Sequence, residues 1–242
     1  MNINQLSKRL MAVASRIPAG AVIADIGSDH AYLPCYAVQR GVAAQAVAGE
    51  VADGPLQAAK QQVQAAGLEE KIAVRKGNGL EVIAAGEVDC VTIAGMGGPL
   101  ITSILNEGKE KLVGVKRLVL QPNLRADHIR RWLLMNGWQL IDEEIMEEDG
   151  KIYEILTAEQ GDADKPYGKR KEVELLTGPM LLAEKSDVFL KKWRREADQL
   201  EVVLENLKKA EDQQAADQKR QSVLQELQLI KEAINGEENE RT

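Results

Sequence analysis

Aromatic residues are scarce in this 242-residue chain, 3% of positions with a single Phe. Stacking bases on rows of aromatic rings needs more than that, so any contact with nucleic-acid bases has to be local. Cysteine and histidine are scarcer still. Cys35 and Cys90 form neither a disulfide framework nor a CxxC pair, and with His30 and His128 as the two histidines a His/Cys zinc cluster is not expected; no metal is. No run approaches the roughly 20 apolar residues of a membrane span. The opening MNINQLSKRLMAVASRIP is polar every few residues, unlike a secretory leader, so a cytoplasmic protein is expected. Positive charge is in the minority: 31 Lys and Arg against 38 Asp and Glu leave −7 with neutral His, which excludes a uniformly basic nucleic-acid coat. What remains, 44% hydrophobic and 29% charged, is globular and long enough for one medium domain with an appendage.

Between Val22 and Gln121 short β-branched runs alternate with Ala-rich helical stretches, the rhythm of parallel βαβ units. The runs are Val22 to Ile26, Ala46 to Glu50, Ile72 to Lys76, Cys90 to Ala94 and Leu118 to Gln121. They are continuously apolar, as strands covered on both faces are. Pro34 and Pro55 suit first turns of helices, and Gly41 and Gly67 suit the left-handed residue after one. Leu6, Leu10, Val13 and Ile17 recur at helical spacing and predict a helix packed on the sheet. Trp138 to Ile145 and Lys151 to Thr157, joined through Asp149-Gly150, predict a closing antiparallel hairpin. The expected domain is residues 1–160, α/β in class.

Residues 161–242 differ in composition. A polar linker, GDADKPYGKRK, is followed by a stretch from Met180 to Asn235 with no Gly or Pro, which predicts helix. Phe189, Trp193, Leu200, Leu204 and Leu207 form one apolar stripe, and Val223, Leu224, Leu227, Ile230 and Ile234 form another, out of phase by roughly 100°. An antiparallel coiled-coil pair reversing within Glu211 to Asp217 buries both stripes. One long helix dimerising with another chain is the alternative to a monomer.

Ligands of open parallel sheets sit beyond the carboxyl ends of the central strands. The first such loop, ADIGSDHAYLP, has one glycine and two carboxylates where a dinucleotide site would have three glycines around a pyrophosphate. Asp25 and Asp29 suit instead a ligand with a sulfonium and an ammonium group, and Gly27 lets the chain turn hard. Glu50, 25 residues after Asp25 and followed by Val51, suits the two hydroxyls of a ribose. Asn78 with Gly79 suits an adenine edge. Together these describe S-adenosylmethionine (SAM), with Ala94, Gly95 and Met96 beside its methyl group. Gly97 and Gly98 allow close approach of a planar substrate, and Gln121 and Asn123 present amides at the same rim.

DIGSDHAYLP, the acid in AGE, GNGLEVI, IAGMGG and QPN, in that order, resemble the bacterial tRNA (adenine-22-N1)-methyltransferase family over essentially the whole chain. The resemblance implies a Rossmann-like, seven-stranded class I methyltransferase fold with the helical C-terminal domain appended. It also implies methylation of N1 of an adenine in the D-loop region of tRNA, with S-adenosylhomocysteine (SAH) as co-product. A small-molecule methyltransferase on the same fold would not need the helical arm.

N1 carries its own lone pair, so no covalent nucleophile is required, and Cys35 and Cys90 read as core residues. The product adenine is cationic, which makes Asp29 a candidate for stabilising that charge; an Asx turn or a contact to the cofactor ammonium is the alternative. His30 shuttles a proton or bonds the cofactor and loop. Tyr32 is a candidate stacking partner, with Pro34 on the same rim. His128, with Arg125, Arg130 and Arg131, reads as a solvated helix face. A paired adenine must be exposed or flipped, and the segment Lys165 to Arg195, with 9 Lys and Arg against 4 Asp and Glu, offers Lys169, Arg170 and Lys171 to phosphates.

Overall fold

The computed structural model describes residues 5–208 and 213–236. The chain divides into two compact units after Lys165. The first is a seven-stranded sheet in the order β3-β2-β1-β4-β5-β7-β6. Its strands are β1 (Ala21–Ile26), β2 (Ala43–Glu50), β3 (Ile72–Lys76), β4 (Cys90–Gly97), β5 (Arg117–Leu124), β6 (Trp138–Glu148) and β7 (Lys151–Gln160). The first five are parallel, and β7 runs antiparallel to both β5 and β6. The β6–β7 turn is built as Asp149-Gly150 demands: both residues have positive φ, 51° and 74°, the twist of a tight hairpin.

Helices cover both faces. On one lie α1 (Lys8–Ala14), α2 (Tyr32–Gln39) and α3 (Asp53–Ala65); on the other lie α4 (Gly98–Glu107) and α5 (Ala126–Met135). Alternate residues of β1 serve the two cores, Ile23 joining the first and Ala24 and Ile26 the second. Leu6, Leu10, Val13 and Ile17 are all buried, although regular helix spans only Lys8–Ala14. Each fully buried side chain of the size of Ile23 or Leu118 contributes about 1.5–3 kcal/mol relative to exposure.

Two expectations are corrected here. β4 and β5 run on to Gly97 and Leu124, past the expected ends at Ala94 and Gln121, because their last residues keep pairing through register shifts around Met96. The Arg130 guanidinium is not on a solvated face: it is fully buried, donating through Nε to Glu143 at 2.7 Å and through Nη2 to Glu154 at 2.7 Å. It joins α5 to the hairpin.

The second unit contains α6 (Lys171–Thr177), α7 (Pro179–Glu184), α8 (Asp187–Leu207) and α9 (Gln213–Asn235). Ser186 caps α8 by accepting from the Phe189 N–H. α8 and α9 pack on each other, bridged by Lys231 and Glu201 at 2.8 Å. Burial along the stripes is graded: Phe189, Trp193, Leu227 and Ile230 are buried, whereas Leu224 is 45% exposed. Part of the reversal expected over Glu211 to Asp217 lies outside the described residues, and Gln213 to Asp217 is already helix.

Candidate active site

The chain leaves β1 toward β2 on one side and returns to β4 on the other, which makes the gap beyond β1 and β4 the topological switch point of the sheet. A cavity of about 280 Å³ lies there, lined by Arg9, Leu10, Asp25, Gly27, Ser28, Asp29, Tyr32, Leu33, Ala94, Gly95 and Met96. The loop between β1 and α2 forms one wall and is conformationally tense: Gly27, Asp29 and Ala31 all have positive φ, 69°, 55° and 53°. For the two non-glycine residues that costs about 1 kcal/mol or more each, maintained by what surrounds them. A Cβ on Gly27 would stand 2.2 Å from Met96 Cε. Glycine there lets the loop and the end of β4 close on one another.

Acid groups dominate the site. Asp25, at the end of β1, is buried, and its two oxygens accept from Ser28 Oγ and Thr92 Oγ1, each at 2.6 Å. Burial pushes its carboxyl above the usual range, and the two hydroxyls oppose that shift. Glu50, at the end of β2, is also buried and accepts from the Asp29 N–H, which ties down the tense loop. Burial raises its carboxyl as well; the Asp29 amide opposes this, and the charges of Asp29 and Asp25 add to it. Asp29 and His30 are exposed side chains, with Asp29 Oδ1 3.7 Å from His30 Nε2, and the His30 ring stacks on Tyr32 at 5.3 Å between centroids.

Behind the cavity floor, the buried Gln121 accepts from Arg9 Nη1 at 2.5 Å and from the Gly95 N–H at 3.0 Å through one oxygen, Oε1. Its amide nitrogen donates to the Pro122 carbonyl at 2.8 Å, and Asn123 Nδ2 donates to the Gly95 carbonyl at 2.7 Å. The bulged end of β4 is thus held by side chains of β5.

Of the residues singled out from sequence, Asp25, Gly27, Asp29, Tyr32, Ala94, Gly95 and Met96 line this one cavity. His30 lies at its edge through Tyr32. Others stand elsewhere. Asn78 and Gly79 line a separate hollow with Leu80 and Ile104; the Asn78 N–H is taken by Glu81 Oε2 at 3.0 Å, closing a short 3-10 turn. Glu50 is buried and bonded to the loop without lining this cavity, and Val51 is exposed. Three rim assignments are corrected. Pro34 is buried in the first turn of α2. Gln121 is fully buried. Gly98 is buried, and a Cβ there would clash with the Arg125 carbonyl oxygen, so it serves the contact between two turns. Gly97 is half-buried and Asn123 exposed. In the second unit Lys169 is exposed, and Arg170 and Lys171 are half-buried at the start of α6.

Sequence reasoning passed over Arg9, Leu10, Ser28, Leu33 and Thr92. Thr92 left a signal, a hydroxyl inside the apolar run CVTIA, in register with Asp25. Arg9 left none, because only the placement of α1 brings it to the cavity. Burial pushes the Cys35 thiol up to about 11 and the Cys90 thiol up to about 12, so neither supplies a thiolate at neutral pH. Among the described residues no three His, Cys, Asp or Glu side chains group as metal ligands.

A glycine closed against Met96, buried acids suited to cationic groups, and a cavity at the switch point of this sheet define a Rossmann-like class I methyltransferase. The chain belongs to the tRNA (adenine(22)-N(1))-methyltransferase family, whose sequence profile matches residues 23–232. It is 53% identical to the tRNA (adenine(22)-N(1))-methyltransferase of Bacillus subtilis over 236 residues, 97% of this chain and 99% of that protein. The crystal structure of the B. subtilis M1A22 tRNA methyltransferase TrmK superposes with a TM-score of 0.92 at 52% identity, covering 96% of this chain and 99% of that one. A Streptococcus pneumoniae homologue solved in complex with S-adenosyl-L-methionine gives a TM-score of 0.83 at 45% identity, covering 96% and 100%. M. capricolum TrmK in complex with SAH gives 0.78 at 26%, covering 95% and 98%.

Proposed function

We propose that this protein transfers a methyl group from SAM to N1 of adenine 22 of tRNA, in the cytoplasm and as a single chain. The observation that carries the reading is the switch-point cavity, in which two acids and a close glycine–methionine contact meet in a chain of this family. When bound, SAM supplies an electrophilic methyl group on a positively charged sulfur. The N1 lone pair forms the new N–C bond as the S–CH3 bond breaks, leaving SAH and a cationic adenine.

The protein's part is placement and charge. Asp25, held by Ser28 and Thr92, sets a negative field beneath the cofactor's cationic end; Glu50 anchors the loop and faces the ribose. Asp29 stands at the cavity mouth, where its charge complements the cation that develops on the base. Tyr32, backed by His30, is the aromatic surface for the adenine. Gly97 and Asn123 complete the substrate side. Arg170, Lys169 and Lys171, with the exposed Lys191, Arg194 and Arg195, give the second unit its phosphate-binding face.

The test is methyl transfer from labelled SAM to a tRNA transcript, with primer extension to locate the product. Label with an extension stop at position 22, lost when adenine 22 is replaced by guanine, is expected. Transfer to small molecules and none to tRNA would overturn the reading.

A further inference from the structure

N1 of a stacked or paired adenine faces inward, so the base has to leave its stack before a methyl group can reach it. An apolar side chain carried at the mouth of a site can hold the vacated space by wedging between the neighbouring bases. Leu124 has the required character. It ends β5 at the carboxyl edge of the sheet and is 60% exposed, whereas Leu118 and Leu120 of the same strand are fully buried. Its backbone pairs with Gly97, the residue after the cavity-lining Met96. A Cβ on Gly97 would stand 3.8 Å from Leu124 Cδ1 and 3.8 Å from Pro99 Cδ, so the leucine lies along the rim at the end of β4. Leu100, in the first turn of α4, adds a second exposed leucine to this end of the strand.

The backbone is fixed on both sides of Leu124. Before it, Asn123 Nδ2 donates to the Gly95 carbonyl at 2.7 Å. After it, Arg125 has φ 57° and ψ 50°, a left-handed conformation that a residue with a Cβ adopts only when its surroundings enforce it. The Arg125 guanidinium is clasped by Asp127, Nε to Oδ1 at 2.9 Å and Nη2 to Oδ2 at 2.8 Å. Gly98 packs so closely on the Leu124 and Arg125 carbonyl groups that a Cβ there would clash. The leucine is therefore presented to water at a defined place, as a residue that acts on a partner has to be. Tyr32 reaches the cavity from the loop between β1 and α2, and Leu124 stands beyond the end of β4.

We infer that Leu124 is a positioning residue that enters the space left by adenine 22 as the base turns into the cavity toward Tyr32. The inference deepens the proposed function and rests on it. Burying an exposed leucine among bases is favourable and unstacking the adenine is unfavourable, by amounts of the same order, so the wedge offsets the cost of presenting N1. Leu124 touches neither cofactor nor reacting atoms, and its effect falls on opening the substrate alone.

The experiment is single-turnover methylation by the full chain, at saturating SAM and enzyme, of two tRNAs assembled by ligation. One has the natural sequence; the other carries an abasic nucleotide opposite adenine 22, so that the base has already lost its partner. Leu124→Ala should methylate the first about tenfold more slowly and the second within about twofold of the unsubstituted protein. Leu124→Met, apolar and of similar volume, should restore the rate on the first. Calorimetry with SAH checks that the variants are folded with an intact cofactor site, and Leu124→Gln repeats the measurement if Leu124→Ala is not. Equal slowing on both tRNAs would give Leu124 a structural role and overturn the wedge. So would an unchanged rate on the natural tRNA, whether or not filter binding showed weaker tRNA affinity. Failure of the unsubstituted protein to methylate either tRNA would overturn the proposed function itself, and this inference with it.

Discussion

At the hairpin, Glu143 and Glu154 are buried around Arg130; at the switch point, Asp25 and Glu50 are buried around hydroxyl and amide donors. Both places take carboxylates out of water, and the difference lies in what answers the charge. Arg130, which burial alone would push down, is held above its ordinary range because two carboxylates outweigh that effect. The cluster is internally complete. Asp25 and Glu50 have their carboxyls raised instead, since neutral donors compensate burial only in part. The first arrangement cements α5 to the sheet, whereas the second keeps two carboxylates out of water on hydroxyl and amide donors at the switch point.

The largest test of that contrast is Arg130→Ala. It strands two buried carboxylates and should destabilise the protein by about 3–5 kcal/mol, read as a lower urea midpoint, while the folded fraction binds SAH as before. An effect under about 1 kcal/mol would erase the distinction between the two clusters. At the other cluster, Glu50→Ala should cost about 1.5–3 kcal/mol of SAH affinity by calorimetry, with a far smaller change in folding.

Asp25→Asn sharpens the comparison through pH. With its folded value raised above 3.8, Asp25 keeps its proton in the native state after the unfolded chain has lost it. The native state then binds more protons in that interval, so stability falls as pH rises through it and stays lower above it. Asparagine cannot ionise, so the variant should melt higher at pH 7, with the gap closing toward pH 3, yet bind SAH more weakly. A variant less stable at pH 7 would contradict the assignment of strain to this carboxyl.

The smallest effect belongs to neither cluster. Replacing Lys169, Arg170 and Lys171 with Ala should leave SAH binding unchanged and reduce the salt dependence of tRNA binding by about one unit of slope for each phosphate no longer neutralised. An unchanged slope would make the start of α6 a solvated face.

Strand positions, the hairpin turn and the helical second unit were legible because each is written locally. Continuous apolar runs mark doubly covered strands, Asp149-Gly150 accepts two positive φ values, and the stretch from Met180 onward lacks breakers. The carboxylates of the first loop were legible for a related reason: an acid beside a glycine at a strand end is polar where the sheet has its open end. Burial of individual polar side chains was not. Arg125, Arg130 and Arg131 share one short segment, and only the approach of Glu143 and Glu154 from the hairpin draws Arg130 inside.

By itself, then, the order of apolar and polar residues determined the α/β class, the hairpin and the acidic character of the site, since period and turn chemistry act over a few residues. The tertiary structure alone decided that Asn78 and Gly79 line a different hollow from Asp25, that Gln121 is buried, and that Arg9 enters the cavity under the hold of Glu148. Those outcomes depend on groups up to 139 positions apart meeting in space. No local pattern encodes such a meeting, because the free energy that selects it comes from packing whole helices and strands together.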